Sequence, residues 1–164
     1  MIKNILLISI LIFFSYSMGD ASELLHYDVE KEHTLNELTQ AKVEKIENLD
    51  VRSFIKIMTE NYHANSKLNF VTFKGEFPLN WIKKEDIEYL ISIIHSKKKC
   101  CSYKHYYSSY ISSDYAEVGG FAIIFLNSFI NNKKINLGLN SNPRTDEKSI
   151  KKINNWYLNE FKKE

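Results

Sequence analysis

Residues that interrupt secondary structure are scarce in this chain. It has only two prolines and five glycines in 164 residues, and no stretch rich in proline, glycine and serine divides it. No internal repeat is evident in the sequence either. Because linkers between domains are usually rich in such residues, the sequence predicts one domain built from long periodic segments.

A strong charge imbalance is also missing. The chain has 22 Lys and Arg residues against 20 Asp and Glu residues, which gives a formal net charge of +2. Proteins that bind nucleic acid present a strongly basic face to the phosphates, so we expect no nucleic-acid partner. The content of 44% hydrophobic and 26% charged residues is ordinary for a globular protein.

Cysteine is limited to one adjacent pair, Cys100 and Cys101. Neighbouring Cα atoms are about 3.8 Å apart, whereas disulfides usually need about 4.4–6.8 Å. An ordinary stabilising disulfide is therefore disfavoured. Three alternatives remain open: a strained vicinal disulfide, a bridge to another chain, or two buried thiols. Buried thiols are favoured because free cysteine behaves as a small hydrophobic residue.

Only one long apolar run occurs, and it lies close to the N-terminus at Ile5–Phe14. It has about half of the roughly 20 residues that a helix needs to cross a bilayer. A basic residue precedes it and small, polar residues follow at 15–21, which is the pattern of a cleavable signal peptide. We expect residues 1–19 to be this signal, cut after Gly19 or alternatively after Ala21. The mature protein is then periplasmic or secreted, without a membrane partner.

Cleavage leaves about 145 residues, the size of one ordinary domain. We expect residues 20–33 to form an N-terminal extension and residues 34–164 a single helical domain. A chain of this length buries about 68–70% of its unfolded surface. The core therefore needs neither a disulfide nor a metal ion.

Apolar periodicity predicts a mainly α-helical fold, with four to five helices around a central apolar helix at 115–131. A helix is expected at 34–48, and a short β element near 68–76 accompanies the helices. Two helices begin at the acidic cap residues Asp50 and Asp146. The apolar stripes of these two helices are Val51, Phe54, Ile55, Met58 and Tyr62, and Ile150, Ile153, Tyr157 and Phe161.

The start of the central helix carries two further predictions. Asp114 is expected to cap it, with Glu117 at the third helical position. Gly119 and Gly120 lower helix propensity by about 1 kcal/mol each. Their presence predicts that a neighbouring helix approaches the backbone closely at this point.

Catalytic motifs are missing from the sequence. It has no Gly-x-Ser-x-Gly elbow, no His-Glu-x-x-His and no Gly-rich phosphate loop. Cys101 and His105 are the only local pair of a nucleophile and a base, and they define an alternative: a small secreted or periplasmic hydrolase or thiol enzyme acting on cell-envelope material. His95, Cys100, Cys101 and His105 are residue types that bind zinc, but their spacing is unusual and three lysines lie among them. We therefore expect no metal ion and no cofactor.

The most distinctive feature is the tyrosine-rich and serine-rich segment 102–113. Tyrosine supplies rigid contact area and serine supplies adaptable hydrogen bonds, a combination typical of recognition loops. Four lysines in or beside the segment favour an acidic partner, although a solvated charge run is the alternative: Lys97, Lys98, Lys99 and Lys104. The alternative is that the rings cover the core while their hydroxyls reach water. The binding residues that we expect are Tyr103, Lys104, Tyr106, Tyr107 and Tyr110.

These observations favour an exported, non-catalytic protein that binds another protein through residues 102–113. Small exported helical proteins without catalytic motifs often act as inhibitors of toxic enzymes or as immunity proteins against them. By this analogy, the expected role is that of an inhibitor or immunity-type protein.

Overall fold

The computed structural model describes residues 43–111 and 113–163. The expected signal peptide at 1–19 and the expected extension at 20–33 lie outside the described residues, as do residues 34–42 of the first expected helix. Among the helices that are described, none combines the length and the apolar character needed to cross a membrane.

The described residues form a mixed α/β fold, so the prediction of a mainly α-helical fold is wrong. Four α-helices accompany a four-stranded mixed sheet, and a separate two-stranded sheet is present. The strands are β1 (Val43–Lys45), β2 (Phe70–Lys74), β3 (Lys99–Cys100), β4 (Ser102–His105), β5 (Ala116–Glu117) and β6 (Asn140–Ser141). The α-helices are α1 (Val51–Glu60), α2 (Ile87–Ile93), α3 (Val118–Ile130) and α4 (Glu147–Asn159), and 3₁₀ turns occur at Ile46–Asn48, Lys84–Asp86 and Phe161–Lys163.

The main sheet has the strand order β1-β2-β4-β6. Strands β1, β2 and β4 are parallel, and β6 runs antiparallel to β4. Parallel neighbours need crossover connections, which α1 provides between β1 and β2 and α2 provides between β2 and β4. As a result, the carboxyl ends of β2 and β4 lie side by side at one edge of the sheet.

Strand β2 confirms the β element expected near 68–76. The other strands contradict the sequence-based assignment. Residues 43–45 pair with β2 rather than continuing the helix expected at 34–48. Strand β4 occupies the first part of the segment 102–113, which was expected to resemble a recognition loop. These strands have only two to four residues each, and they are stabilised by partners that are distant in sequence.

The capping predictions for α1 and α4 are confirmed. The Ser53 amide donates to the Asp50 carboxylate at 2.7 Å, and the Ser149 amide donates to the Asp146 carboxylate at 2.8 Å. Most of the expected apolar stripe is buried in both helices, with Tyr62 and Phe161 lying beyond their ends and only partly buried. Side-chain caps satisfy amides that have no partner within the helix, and the stripes pack these helices against the core.

Helix α3 lies in the core as expected, but it begins at Val118 and not at residue 115. Residues 116–117 are strand β5, paired with β3, so the prediction that Asp114 caps the helix is wrong. The amides of the first two helical residues donate instead to backbone carbonyls, of Lys98 at 3.0 Å and Ser96 at 2.9 Å. Backbone carbonyls of the segment between α2 and β3 therefore accept the hydrogen bonds that a side-chain cap would otherwise accept.

The two glycines at the start of α3 allow close backbone approach. A Cβ on Gly119 would lie 2.4 Å from the Ile94 carbonyl oxygen, and a Cβ on Gly120 would lie 2.5 Å from the Pro143 carbonyl oxygen. The prediction of a close helical neighbour is confirmed at Gly119, where the contact is with Ile94, the C-cap residue of α2. At Gly120 the close neighbour is a loop.

The core is organised around the ring of Phe54 on α1. Its centroid lies 5.0 Å from that of Phe73 on β2 and 5.4 Å from those of Phe121 and Phe125 on α3. Trp81 completes the group, with its centroid 6.1 Å from Phe54. This aromatic group joins one face of the sheet to α1 and α3.

Candidate functional site

The adjacent cysteines are free and buried, with exposed fractions of 0% at Cys100 and 1% at Cys101. The sequence left three alternatives for these cysteines, and the structure agrees with the third, a pair of buried thiols. Burial raises the pKa of each thiol to about 12. Both groups are therefore protonated at neutral pH, whereas the nucleophilic form of cysteine is the thiolate.

The structure does not bring Cys101 and His105 together. They lie four residues apart on extended backbone, which separates their Cα atoms by about 13 Å, and a nucleophile and its base need hydrogen-bond contact. His95 lies on the exposed side of the turn after α2. Within residues 43–111 and 113–163, no group of three or more His, Cys, Asp or Glu side chains is placed to hold a metal ion.

Tyr103 is the one expected binding residue that lies in the core. It is only 3% exposed, and its ring stacks on Phe73 with a centroid distance of 5.3 Å and an interplanar angle of 12°. Burial raises the pKa of its hydroxyl to about 12. For this ring, the structure supports the packing alternative.

Three other tyrosines of the segment are exposed, and we call them the tyrosine surface: Tyr106, Tyr107 and Tyr110. Their exposed fractions are 50%, 76% and 64% respectively. The rings of Tyr106 and Tyr107 meet edge to face with a centroid distance of 5.6 Å. Tyr107 also lies 5.4 Å from the ring of His105, the last residue of β4.

The backbone beneath the tyrosine surface is held by hydrogen bonds. The His105 amide donates to the Leu139 carbonyl at 2.8 Å, and the Ser108 amide donates to the His105 carbonyl at 2.8 Å. The Ser108 hydroxyl donates to the Asn140 side chain on β6 at 2.9 Å and accepts from the Tyr110 amide at 3.2 Å. The exposed rings are thus carried by an ordered turn tied to a neighbouring strand.

Two lysines lie on the face of the sheet that is opposite the helices, and one of them contacts Tyr106. The Nζ atom of Lys74 lies 5.6 Å from the ring centroid of Tyr106, and that of Lys104 lies 5.8 Å from the centroid of Phe70. In the described parts of the chain, neither lysine pairs with a carboxylate. Their positive charges are therefore available to a partner.

A groove of about 490 Å³ opens beside the tyrosine surface, at the carboxyl ends of β2 and β4. Its buried lining is mostly apolar, and polar side chains lie at its rim. Lys134 and Glu76 form an ion pair there, which lowers the pKa of Glu76. The residues around the groove include Phe77, Tyr103, His105, Ile135, Asn136, Leu137 and Leu139.

Comparisons with protein-family models, with curated proteins and with solved structures give no match to this chain. What the site can do follows from the contacts, burial and charges of the residues that form it.

The groove is the part of the site that sequence reasoning missed. Its walls come from three segments, at 75–77, 103–105 and 134–139, which no local pattern connects. One available signal was the alternation of Cys101 and Tyr103 with polar neighbours, which is typical of a half-buried strand. That pattern would have indicated β4 and separated Tyr103 from the exposed tyrosines.

Proposed function

We propose that this chain is an exported, non-catalytic protein that binds another protein through the tyrosine surface. The observation that carries the proposal is the exposure of Tyr106, Tyr107 and Tyr110 on an ordered turn. Tyrosine is enriched among residues that dominate binding energy, because its ring offers a large contact area at low cost in conformational entropy. A turn held in place by hydrogen bonds reduces that cost further.

The charge around the tyrosine surface favours an acidic partner. Lys74 lies against the ring of Tyr106, and Lys104 lies on the same face of the sheet. Lysines beside an aromatic contact surface speed association with an acidic partner and disfavour basic ones. Replacing Lys104 and Lys74 with neutral residues should therefore slow association more than it speeds dissociation.

The proposed location is outside the cytoplasm, which is supported by the signal-peptide pattern of residues 1–19. The proposed role is that of an inhibitor or immunity-type protein, which acts by covering its partner. This role rests on analogy with small exported proteins. It is compatible with a chain whose cysteines are buried and protonated and whose exposed aromatic residues lie together.

The test is capture of a partner by residues 20–164 from cell-envelope extract and culture medium of the producing organism. The wild type is compared with a Tyr106→Ala/Tyr107→Ala/Tyr110→Ala variant. Loss of binding hot spots worth about 2 kcal/mol or more reduces affinity at least about thirtyfold. We expect the partner retained by the wild type to be lost from the variant.

Two controls make this comparison specific. A variant with phenylalanine at the same three positions keeps the rings and should retain most of the binding. Leu158→Ala removes another exposed hydrophobic residue, 58% exposed on α4, and should bind like the wild type. A partner retained equally by the wild type and the triple alanine variant would exclude the tyrosine surface as its binding site.

A further inference from the structure

The hydroxyl of Tyr103 is the first indication that the groove is a binding site. The side chain is 3% exposed, and within the described residues its hydroxyl has no hydrogen-bond partner. Fully buried polar side-chain atoms of the described residues all have partners, so this hydroxyl is not sealed in the core. The open space that the Tyr103 ring lines is the groove. The hydroxyl therefore offers a hydrogen-bonding position to a ligand in the groove, whereas the rest of the Tyr103 side chain is buried.

The rest of the lining has the composition of a ligand site. Phe77, Ile135 and Leu137 are buried apolar residues, and Leu139 extends the apolar wall to the surface with 57% of its side chain exposed. Small-ligand and side-chain pockets are mostly apolar, hold a few converging polar groups, and have volumes of about 300–1,000 Å³. The groove meets these conditions at about 490 Å³.

The rim restricts the charge of the ligand. Lys134 and Glu76 neutralise each other as an ion pair, so the rim selects neither a carboxylate nor an ammonium group strongly. His105 lies between this pair and the tyrosine surface, with its ring 5.4 Å from that of Tyr107. The groove and the tyrosine surface are therefore continuous.

We infer that the groove binds an uncharged aromatic group with one hydrogen-bonding atom, and that a side chain of the protein partner supplies it. The ring packs on Phe77 and Leu139, and its polar atom bonds with the Tyr103 hydroxyl. The assignment to a partner side chain rests on the proposed function, because a partner on the tyrosine surface would cover the mouth of the groove. A free small ligand of the same chemistry is the other source of such a group.

The first arm of the experiment measures binding of the isolated chemistry. 4-Methylphenol, the side chain of tyrosine, and toluene, the side chain of phenylalanine, are titrated into residues 20–164 and followed by amide chemical shifts in NMR. We expect saturable shifts at His105, Leu137 and Leu139. A single hydrogen bond should make 4-methylphenol bind about fivefold to tenfold more tightly than toluene.

Three variants identify the groups responsible. Tyr103→Phe retains the ring and should abolish the preference for 4-methylphenol over toluene. Leu139→Ala should weaken both ligands several-fold, and Leu158→Ala, with an equally exposed leucine elsewhere, should change neither. Thermal unfolding of each variant shows that it is folded. Absence of saturable shifts at the groove, or an unchanged preference in a folded Tyr103→Phe variant, would overturn the inference.

The second arm distinguishes the two sources of the ligand. Displacement of the captured partner by 4-methylphenol supports a partner side chain in the groove. Binding of 4-methylphenol without displacement contradicts that assignment and makes the groove a site for a free ligand. If the triple tyrosine variant loses the partner while the groove binds no phenol, only the groove inference fails and the proposed function stands.

Discussion

Two neighbouring stretches of this chain, residues 100–103 and residues 106–110, place their tyrosines in opposite environments. Both include tyrosine and serine, yet Tyr103 is 3% exposed and Tyr107 is 76% exposed. Tyr103 lies within strand β4, whereas Tyr107 lies beyond the carboxyl end of that strand. The difference shows that position relative to strand β4, and not residue type, decides which tyrosines belong to the core.

The pairing of β4 explains the burial of Tyr103. It lies opposite Val71 of β2 on one side and Ser141 of β6 on the other. Because side chains alternate along a strand, Tyr103 faces the helices together with Phe73, while Lys104 faces away. After His105 the strand ends, and the following rings have no covering layer.

The largest effect is expected from truncating the core side chain on which Tyr103 stacks. Phe73→Ala removes a fully buried ring that stacks on both Phe54 and Tyr103, and it should lower the free energy of unfolding by about 3–5 kcal/mol. Tyr107→Ala should change it by less than about 0.5 kcal/mol. Urea unfolding measures both values. Similar decreases in the free energy of unfolding of the two variants would contradict the distinction between a buried and an exposed stretch.

The second expected effect is a loss of stability of the folded protein at alkaline pH, caused by the two buried thiols. The folded-state pKa of Cys100 and of Cys101 is about 12, against an ordinary value of 9.0. Below pH 9 both states keep the thiol protons. Above it the unfolded chain releases them while the folded chain retains them, so stability falls as pH rises from about 9 to about 12.

At pH 10 the expected loss is about 1 kcal/mol for each thiol. Urea unfolding at pH 8 and at pH 10 measures it, with a Cys100→Ala/Cys101→Ala variant as the control. The control should show a clearly smaller decrease over the same interval. An equal decrease in both proteins would show that burial of these thiols does not determine the alkaline sensitivity.

An effect of similar size is expected where the turn after α2 meets the start of α3. In Gly119→Ala the new Cβ would lie 2.4 Å from the Ile94 carbonyl oxygen and 2.9 Å from that of Ser96, so the backbone next to β3 must shift. Overpacking of this kind costs about 1–3 kcal/mol. Ser109→Ala, at an exposed position between the tyrosines, should be close to neutral. Thermal unfolding compares them, and a neutral Gly119→Ala would contradict the close approach.

Helices α1 and α4 could be predicted from the sequence because their signals are local. Asp50 and Asp146 cap helices whose apolar residues recur at helical spacing. Strand β2 was also predictable, from its alternation. The start of α3 was not, since Asp114 and Glu117 fit a local capping pattern that is overridden when β5 pairs with β3.

The site was less predictable than the helices. The sequence identified the segment that contains the tyrosine surface, but it could not distinguish Tyr103 from Tyr106 without the register of β4. The groove depends on the approach of residues 134–139 to the ends of two parallel strands. No local pattern encodes such an approach, because residues 134–139 are far from both strands in the sequence.

Site-specific photo-crosslinking tests the central claim most directly. A photoreactive benzoylphenylalanine replaces Tyr107 in one protein and Leu158 in a control, and each is irradiated with the cell-envelope extract and culture medium. The proposed function predicts a discrete adduct from position 107 and none from position 158. No adduct from position 107, or the same adducts from both positions, would contradict the claim that the exposed tyrosines form the binding surface.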